Sequence, residues 1–340
     1  MKESLLSIQN LKVYFNGKIK DKPIKAVDGI DLEVNEKEIL CIVGESGSGK
    51  SVTSLSIMGL IPKPNGYIES GYVKFMGKDL AKMTEREIAN IRGNDISMIF
   101  QEPMTSLNPV LSIGDQLSEV LLRHTKLSKK AALKKVIEML EFTGFSRATE
   151  LIKSYPHELS GGMRQRVMIS MSLLCEPKLI IADEPTTALD VTIQAQVLDL
   201  MKRMRDEFST SIIMITHDLG VVAEMADQVA VMYAGQIVER ASADDLFNDP
   251  QHPYTKALMK SVPVLGAVNQ TLYSIPGAVP SADNFPKGCR FADRCELAQA
   301  SCYETMPEIR EIRKGHLIRC DVLAEGVNMV GESSIGSKGC

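Results

Sequence analysis

One stretch, Gly44-Glu45-Ser46-Gly47-Ser48-Gly49-Lys50-Ser51, constrains this chain more than any other feature. It fits G-x-x-x-x-G-K-[ST], a pattern that needs a turn between a buried strand and a helix. Both flanks are present: Ile39-Leu40-Cys41-Ile42-Val43 is an apolar run of strand length, and Val52 to Leu60 can continue as a helix. Gly44, Gly47 and Gly49 let the backbone wrap closely, so that the N–H groups of the loop, those of Ser46 and Ser48 among them, point at phosphate. The helix N-terminus adds partial positive charge. Lys50 is placed to reach the β- and γ-phosphates, and the Ser51 hydroxyl to ligate Mg²⁺. The expected ligand is a nucleoside triphosphate and the expected fold class is α/β.

With 340 residues the chain can form one large domain and a smaller one. Leu11, Val13 and Phe15 alternate, as do Ile30, Leu32 and Val34, so 5–15 and 26–34 read as strands joined through Gly17 and a Lys-rich turn at 18–25. From about 102 to 175 the pattern is that of a helical insertion, with Ser128 as a candidate N-cap. There Leu133, Val136, Ile137 and Leu140 form an apolar face, with Lys129, Lys130, Lys134 and Lys135 largely off it. Leu179–Ala182 and Ile212–Ile215 are further strand candidates, each ending in polar residues as at the ligand-binding edge of a parallel sheet. A strand pair over 228–238 turns at Ala234-Gly235. These elements give a domain over 1–265. Residues 266–340 read as a second, small domain: Pro276, Pro280, Pro286, Gly277 and Gly288 surround clustered cysteines, and a tail from about 325 is expected to be mobile.

A net charge of −4 provides no basic footprint, so a dedicated nucleic-acid partner is not expected. No apolar run reaches the roughly 18–20 residues of a membrane span, and the first residues lack the apolar core of a signal peptide. The expected location is the cytoplasm, with any membrane role exercised through partners.

Asp183-Glu184 closes the apolar run Leu179–Ala182. In a nucleotide-binding domain an acidic residue there is the expected magnesium ligand, and Glu184 is positioned to polarise the attacking water. Ser160-Gly161-Gly162, opening a helix, forms a second anion site of exposed N–H groups. One chain thus carries two phosphate-binding elements.

These residues, in this order, resemble the ATP-binding subunits of ABC transporters over about residues 5–260. Leu159–Met163 looks like the signature of that family, Gln101 like its Q-loop, Ala188-Leu189-Asp190 like its D-loop and His217 like its switch histidine. Phe15 matches the aromatic that stacks on adenine, with Tyr14 as competitor. The resemblance implies a P-loop (RecA-like) nucleotide-binding domain with an N-terminal antiparallel β-subdomain and a helical insertion. It also implies roles: Glu184 as general base, Gln101 on Mg²⁺ and the lytic water, and His217 on the γ-phosphate. It further implies head-to-tail pairing, in which Ser160 and Gly162 of one domain cap ATP on the phosphate loop of another. The four other histidines, His124, His157, His252 and His316, read as structural.

The short separation of Ser51 and Leu159 excludes the long coiled-coil insertion of DNA-repair ATPases. Gln251-His252-Pro253-Tyr254-Thr255 and Phe100 to Pro109 are similar to the ATPases of dipeptide and oligopeptide importers. That likeness implies a second ATPase subunit (a heterodimer), two membrane permeases, an external solute-binding protein, and a place on the cytoplasmic face of the membrane. Importers of nickel or sugars in the same subfamily, or an ATP-driven regulatory switch without transport, are the alternatives.

Of seven cysteines, Cys41 and Cys175 sit in apolar contexts, Cys340 is the last residue, and Cys289, Cys295, Cys302 and Cys320 cluster as C-x5-C-x6-C-x17-C. Four thiolates in a reducing compartment suggest metal, and the spacing leaves zinc and [4Fe–4S] equally open. The importer resemblance implies the [4Fe–4S] cluster, with those four as ligands.

Overall fold

The computed structural model describes residues 4–17, 22–101, 106–187, 189–261 and 273–323. The expected features at Lys18 to Asp21, Glu102 to Thr105, Ala188, the tail and Cys340 lie outside the described residues.

The chain begins with β1 (Leu6–Phe15), β2 (Ile24–Val34) and β3 (Ile39–Val43), and then α1 (Lys50–Ile57). Every residue of β3 is buried, as its unbroken apolar sequence requires. Two features not foreseen follow: β4 (Gly66–Phe75) with the short β5 (Lys78–Asp79), and α2 (Glu85–Ile91), which is closed by a capping box from Thr84 and Glu87. Then come β6 (Ile96–Ile99) and the helical insertion: α3 (Ile113–His124), α4 (Lys129–Phe142), α5 (Ala148–Leu151) and α6 (Gly161–Leu173). The rest alternates between strand and helix: β7 (Leu179–Asp183), α7 (Val191–Phe208), β8 (Ser211–Ile215), α8 (Leu219–Met225) and β9 (Gln228–Tyr233). It continues with β10 (Gln236–Ser242), α9 (Ala243–Asn248), α10 (Pro253–Lys260), α11 (Ala300–Glu304), β11 (Arg310–Arg313) and β12 (His316–Ile318).

Two sheets result. β2-β1-β4-β5 is antiparallel throughout. The larger sheet runs β11-β12-β10-β9-β3-β8-β7-β6. Its centre is parallel: Ile39 faces Ile212, Ile42 faces Ile215, Cys41 faces Val229, and Ile96 faces Leu179. After β3 the chain leaves for the far edge at β6, returns through β7 and β8, and crosses to β9 on the other side of β3. The carboxyl end of β3 is therefore a topological switch point, where open α/β sheets bind ligands. One apolar core lies between this sheet and the helices, and a second between it and the antiparallel sheet.

In α4 the Ser128 hydroxyl caps the helix from Ala131 N, as expected. The buried face is Ala132, Val136, Met139 and Leu140; Leu133 and Ile137 are half-buried at its margin. The expected face is thus rotated, because Ala132 and Met139 meet the core while Leu133 and Ile137 only flank it.

The described part of 266–340 does not form a sheet of its own. β12 pairs with β10, Glu239 facing Ile318, and so extends the large sheet. Cys41 is buried in β3 and Cys175 is half-buried against the core.

Candidate active site

Four functional segments leave the carboxyl ends of parallel strands: the phosphate loop after β3, Gln101 after β6, Glu184 after β7 and His217 after β8. They line one cleft of about 710 Å³. Gly44, Ser46, Gly47, Gly49, Lys50 and Ser51 form one wall, and Phe15 of β1 lies on its rim. Tyr14 does not line the cleft. It is buried, and its hydroxyl donates to Asp28 at 2.7 Å. Of the two aromatics, Phe15 is the one that lines the cleft.

The loop is built by close backbone approach. A Cβ on Gly44, at φ +149, would lie 2.1 Å from the Met232 carbonyl oxygen, so β9 leaves room for no side chain there. Ser48 is buried at the base of the loop, its N–H on the Glu45 carbonyl at 3.2 Å. Lys50 Nζ donates to the carbonyls of Gly44 (2.7 Å) and Glu45 (3.0 Å), which folds the lysine over the loop. Burial lowers its pKa, while the charges of Glu184, Asp183 and Glu45 oppose that.

Asp183 is buried at the end of β7. Burial raises its pKa and the adjacent Glu184 adds to this, against a hydrogen bond from Ser51 and the charge of Lys50. Its Oδ1 has no hydrogen-bond partner. A buried carboxylate with an orphaned oxygen beside a serine hydroxyl fits a divalent cation. Ser51, Gln101 and Asp183 would hold Mg²⁺, which when bound neutralises phosphate charge.

Glu184 turns out of β7 in the left-handed region, at φ 48, with its N–H on the Ile215 carbonyl of β8 at 2.9 Å. This conformation costs about 1–3 kcal/mol, the kind of strain kept where a side chain must be aimed. Its Oε2 accepts from Gln101 Nε2 at 3.0 Å and Thr187 Oγ1 at 2.9 Å, and Oε1 faces His217 Nδ1 at 3.3 Å. Gln101, Glu184 and His217 thus form one hydrogen-bonded set, and Thr187 joins it without having been foreseen.

Ser160, Gly161, Gly162 and Asp190 do not line this cleft. Ser160 caps α6 from Met163 N, and both Ser160 and Gly161 are exposed. Asp190 caps α7 from Ile193 N at 2.9 Å. The signature helix still reaches the catalytic strand end, since buried Gln165 Nε2 donates to the Pro185 carbonyl at 2.7 Å.

The sequence reading missed what anchors the loop from outside. Tyr254 Oη accepts from Glu45 N at 2.9 Å, and Arg294 grips the Glu45 carboxylate. The histidines read as structural are so for His252 and His316. Both are buried, His252 N donates to Glu239 at 2.9 Å, and His316 Nε2 lies 2.7 Å from the same carboxylate. Burial disfavours the Glu239 charge, but His316, Thr255 and the N–H groups of Gln251 and His252 hold its pKa below the usual range.

Cys289, Cys295, Cys302 and Cys320 converge. Cys289 N donates to the Cys302 carbonyl at 2.7 Å, and a Cβ on Gly288 would lie 2.2 Å from that oxygen. Burial pushes the Cys289 thiol up to about 11, with Cys320, Cys302 and Cys295 adding to it; burial also raises Cys295 and Cys320. Among the described residues the cysteines are free thiols, and no group of three or more His, Cys, Asp or Glu is arranged to hold a single metal ion. Among the described residues neither the [4Fe–4S] cluster nor the zinc alternative therefore finds a preformed site.

Comparison with known proteins places this geometry. Residues 27–187 match the ABC transporter family, and 238–302 match the oligopeptide/dipeptide transporter C-terminal region. The oligopeptide transport ATP-binding protein AppD of Bacillus subtilis is 55% identical over 95% of this chain and 98% of its own length. The chain belongs to the ATP-binding proteins of the oligopeptide/dipeptide ABC transporter family. The dipeptide transport ATP-binding protein DppD of the same organism is 49% identical, over 97% of this chain and 99% of its own. The dimeric structure of the ATP-binding cassette MJ0796 in a post-hydrolysis state, bound to ADP and Pi, superposes with a TM-score of 0.62 at 25% identity, over 70% of this chain and 98% of that one. As a member of this family the chain is an ABC ATPase, which couples ATP hydrolysis to transport. Among the described residues, no helix is long and apolar enough to cross a membrane.

Proposed function

We propose that this chain powers the import of dipeptides or oligopeptides by hydrolysing ATP between its phosphate-loop cleft and the signature loop of a second ATPase subunit. The carrying observation is the separation of Ser160, Gly161 and Gly162 from the cleft they would complete. Ser160 and Gly161 are exposed and Gly162 is half-buried where they open a thirteen-residue helix, a place where N–H groups can meet a phosphate. Asp190 and the 84%-exposed Val191 extend the same kind of unpartnered surface at the start of α7. The dimeric MJ0796 cassette gives a precedent for pairing.

In the closed site Phe15 stacks on the base and the phosphate loop holds the triphosphate. Water attacks the γ-phosphorus and passes a proton to Glu184; the bond to the ADP oxygen breaks, and ADP and phosphate leave. Gln101 and Thr187 fix the Glu184 carboxylate, and His217 bridges it to the γ-phosphate. Loss of that phosphate releases the subunits, a motion that two membrane permeases at the cytoplasmic face would use, fed by an external binding protein.

The C-terminal cysteines form the second part of the proposal. The four thiols lie near enough to feel one another's charge, yet are not drawn around one point. What supports a [4Fe–4S] cluster here is the set of four cysteines and the match of 238–302 to the oligopeptide/dipeptide transporter C-terminal region. Bound there, it would supply a cross-link joining the segments that carry Cys289, Cys295, Cys302 and Cys320.

The substrate is tested in the reconstituted transporter. Binding protein loaded with a di- or oligopeptide should stimulate ATPase activity. Stimulation by nickel or a sugar instead, with peptides inert, would move the chain to the corresponding alternative.

A further inference from the structure

Arg294 lies in the C-terminal segment, 249 positions from Glu45, yet grips this cleft-lining residue from outside the phosphate loop. The contact is bidentate: Nη1 to Oε2 at 2.9 Å and Nη2 to Oε1 at 3.1 Å. The other N–H groups are also engaged, on Tyr233 Oη (3.2 Å), the Pro276 carbonyl (2.9 Å) and the Ile275 carbonyl (3.3 Å). The guanidinium lies 5.7 Å from the Tyr233 ring centre and 5.9 Å from that of Phe291. Its side chain is 5% exposed, that of Glu45 27%. A guanidinium with every donor satisfied is fixed rather than tethered.

Glu45 is the anomaly that this cation resolves. It is a carboxylate within a loop built to bind polyphosphate, it lines the cleft, and its own carbonyl is 3.0 Å from Lys50 Nζ. Left unpaired, it would repel the triphosphate and draw Lys50 away from it.

We propose that Arg294 is a positioning residue for the nucleotide, which neutralises and holds Glu45 so that the phosphate loop presents Lys50 and its N–H groups without an opposing charge. The C-terminal segment is thereby part of the ATP site, although it supplies nothing that touches the reacting atoms. This rests on the cleft being the ATP site.

The test is equilibrium binding of ATP, ADP and adenosine to the full chain. Arg294→Met keeps the apolar stem against Tyr233 and Phe291 and removes the charge. It should weaken ATP about tenfold, as one uncompensated like charge at short range in a partly exposed site would. ADP should suffer less, and adenosine not at all. Adding Glu45→Gln should return ATP affinity to within about threefold of wild type, a coupling that independent sites do not show. A double variant as weak as Arg294→Met, or an equal loss for adenosine, would make the pair a structural strut and overturn the proposal. Should Arg294→Met not fold, Glu45→Gln alone decides: equal or tighter ATP binding is expected, and weaker binding overturns it. A wild-type chain that binds no ATP would instead remove the reading of the cleft itself.

Discussion

Replacing Glu184 by Gln tests the hydrolytic site with the least disturbance. The carboxylate has three neighbours: Gln101 Nε2 at 3.0 Å and Thr187 Oγ1 at 2.9 Å, both donating to Oε2, and His217 Nδ1 at 3.3 Å from Oε1. A glutamine can keep all three. Its carbonyl oxygen accepts from Gln101 and Thr187, and its amide nitrogen donates to His217 Nδ1 in the tautomer protonated at Nε2. The left-handed turn at φ 48 is equally open to either residue. The substitution therefore removes the proposed proton acceptor and little else. Loss of a general base costs about 10²–10⁴ in rate, or about 3–5 kcal/mol of barrier. Steady-state phosphate release by the assembled transporter should fall by that factor, with ATP affinity within about twofold of wild type because no phosphate-loop contact changes. Hydrolysis at or near the wild-type rate would show that the proton goes elsewhere. A matched loss of ATP affinity would show that Glu184 shapes the site rather than serving its chemistry.

His252 and Cys302 each give a further expected outcome. Burial lowers the His252 pKa to about 4, though the Glu239 charge and a hydrogen bond to the Arg319 backbone favour the protonated ring, and the Arg319 charge opposes it. The unfolded chain takes up that proton near the ordinary value of about 6.5, so the stabilisation is full above that pH and is lost as pH falls toward 4. About 3 kcal/mol is at stake over this window. His252→Asn can keep the cap that His252 Nδ1 gives Tyr254 N, and should flatten the acid limb of a melting-temperature profile; an unchanged limb would contradict the assignment. Cys302→Ser should reduce the iron and acid-labile sulfide of anaerobically purified protein from about four each per chain. Unchanged content would remove Cys302 from the ligand set, and one zinc without sulfide would replace the cluster.

What the sequence made legible was local. The phosphate loop, Asp183, Glu184 and His217 each lie at or just past the end of an apolar run of strand length, and the parallel order of β3, β8 and β7 brings those ends to one sheet edge. The antiparallel β4 was not legible because hydropathy does not follow its burial: Gly66 and Ser70 take inward positions while Tyr67 is exposed. The α4 face was misplaced by the half-buried Leu133 and Ile137, because hydropathy does not say which neighbours a helix meets. The pairs Glu45–Arg294 and Glu239–His316 were invisible for a different reason. Each joins residues far apart in sequence, and in the linear chain the two members of such a pair look like ordinary surface residues. Phe15 and Tyr14 were separable only once β1 showed which of the two faces the cleft.

The most direct measurement is peptide uptake into proteoliposomes carrying the assembled transporter, with ATP on the side of this chain. Uptake should require ATP, fail with Lys50→Ala for want of nucleotide binding, and fail with Glu184→Gln although ATP remains bound. Peptide accumulation that continues in Glu184→Gln, or without ATP, would contradict the claim that hydrolysis in this cleft drives transport.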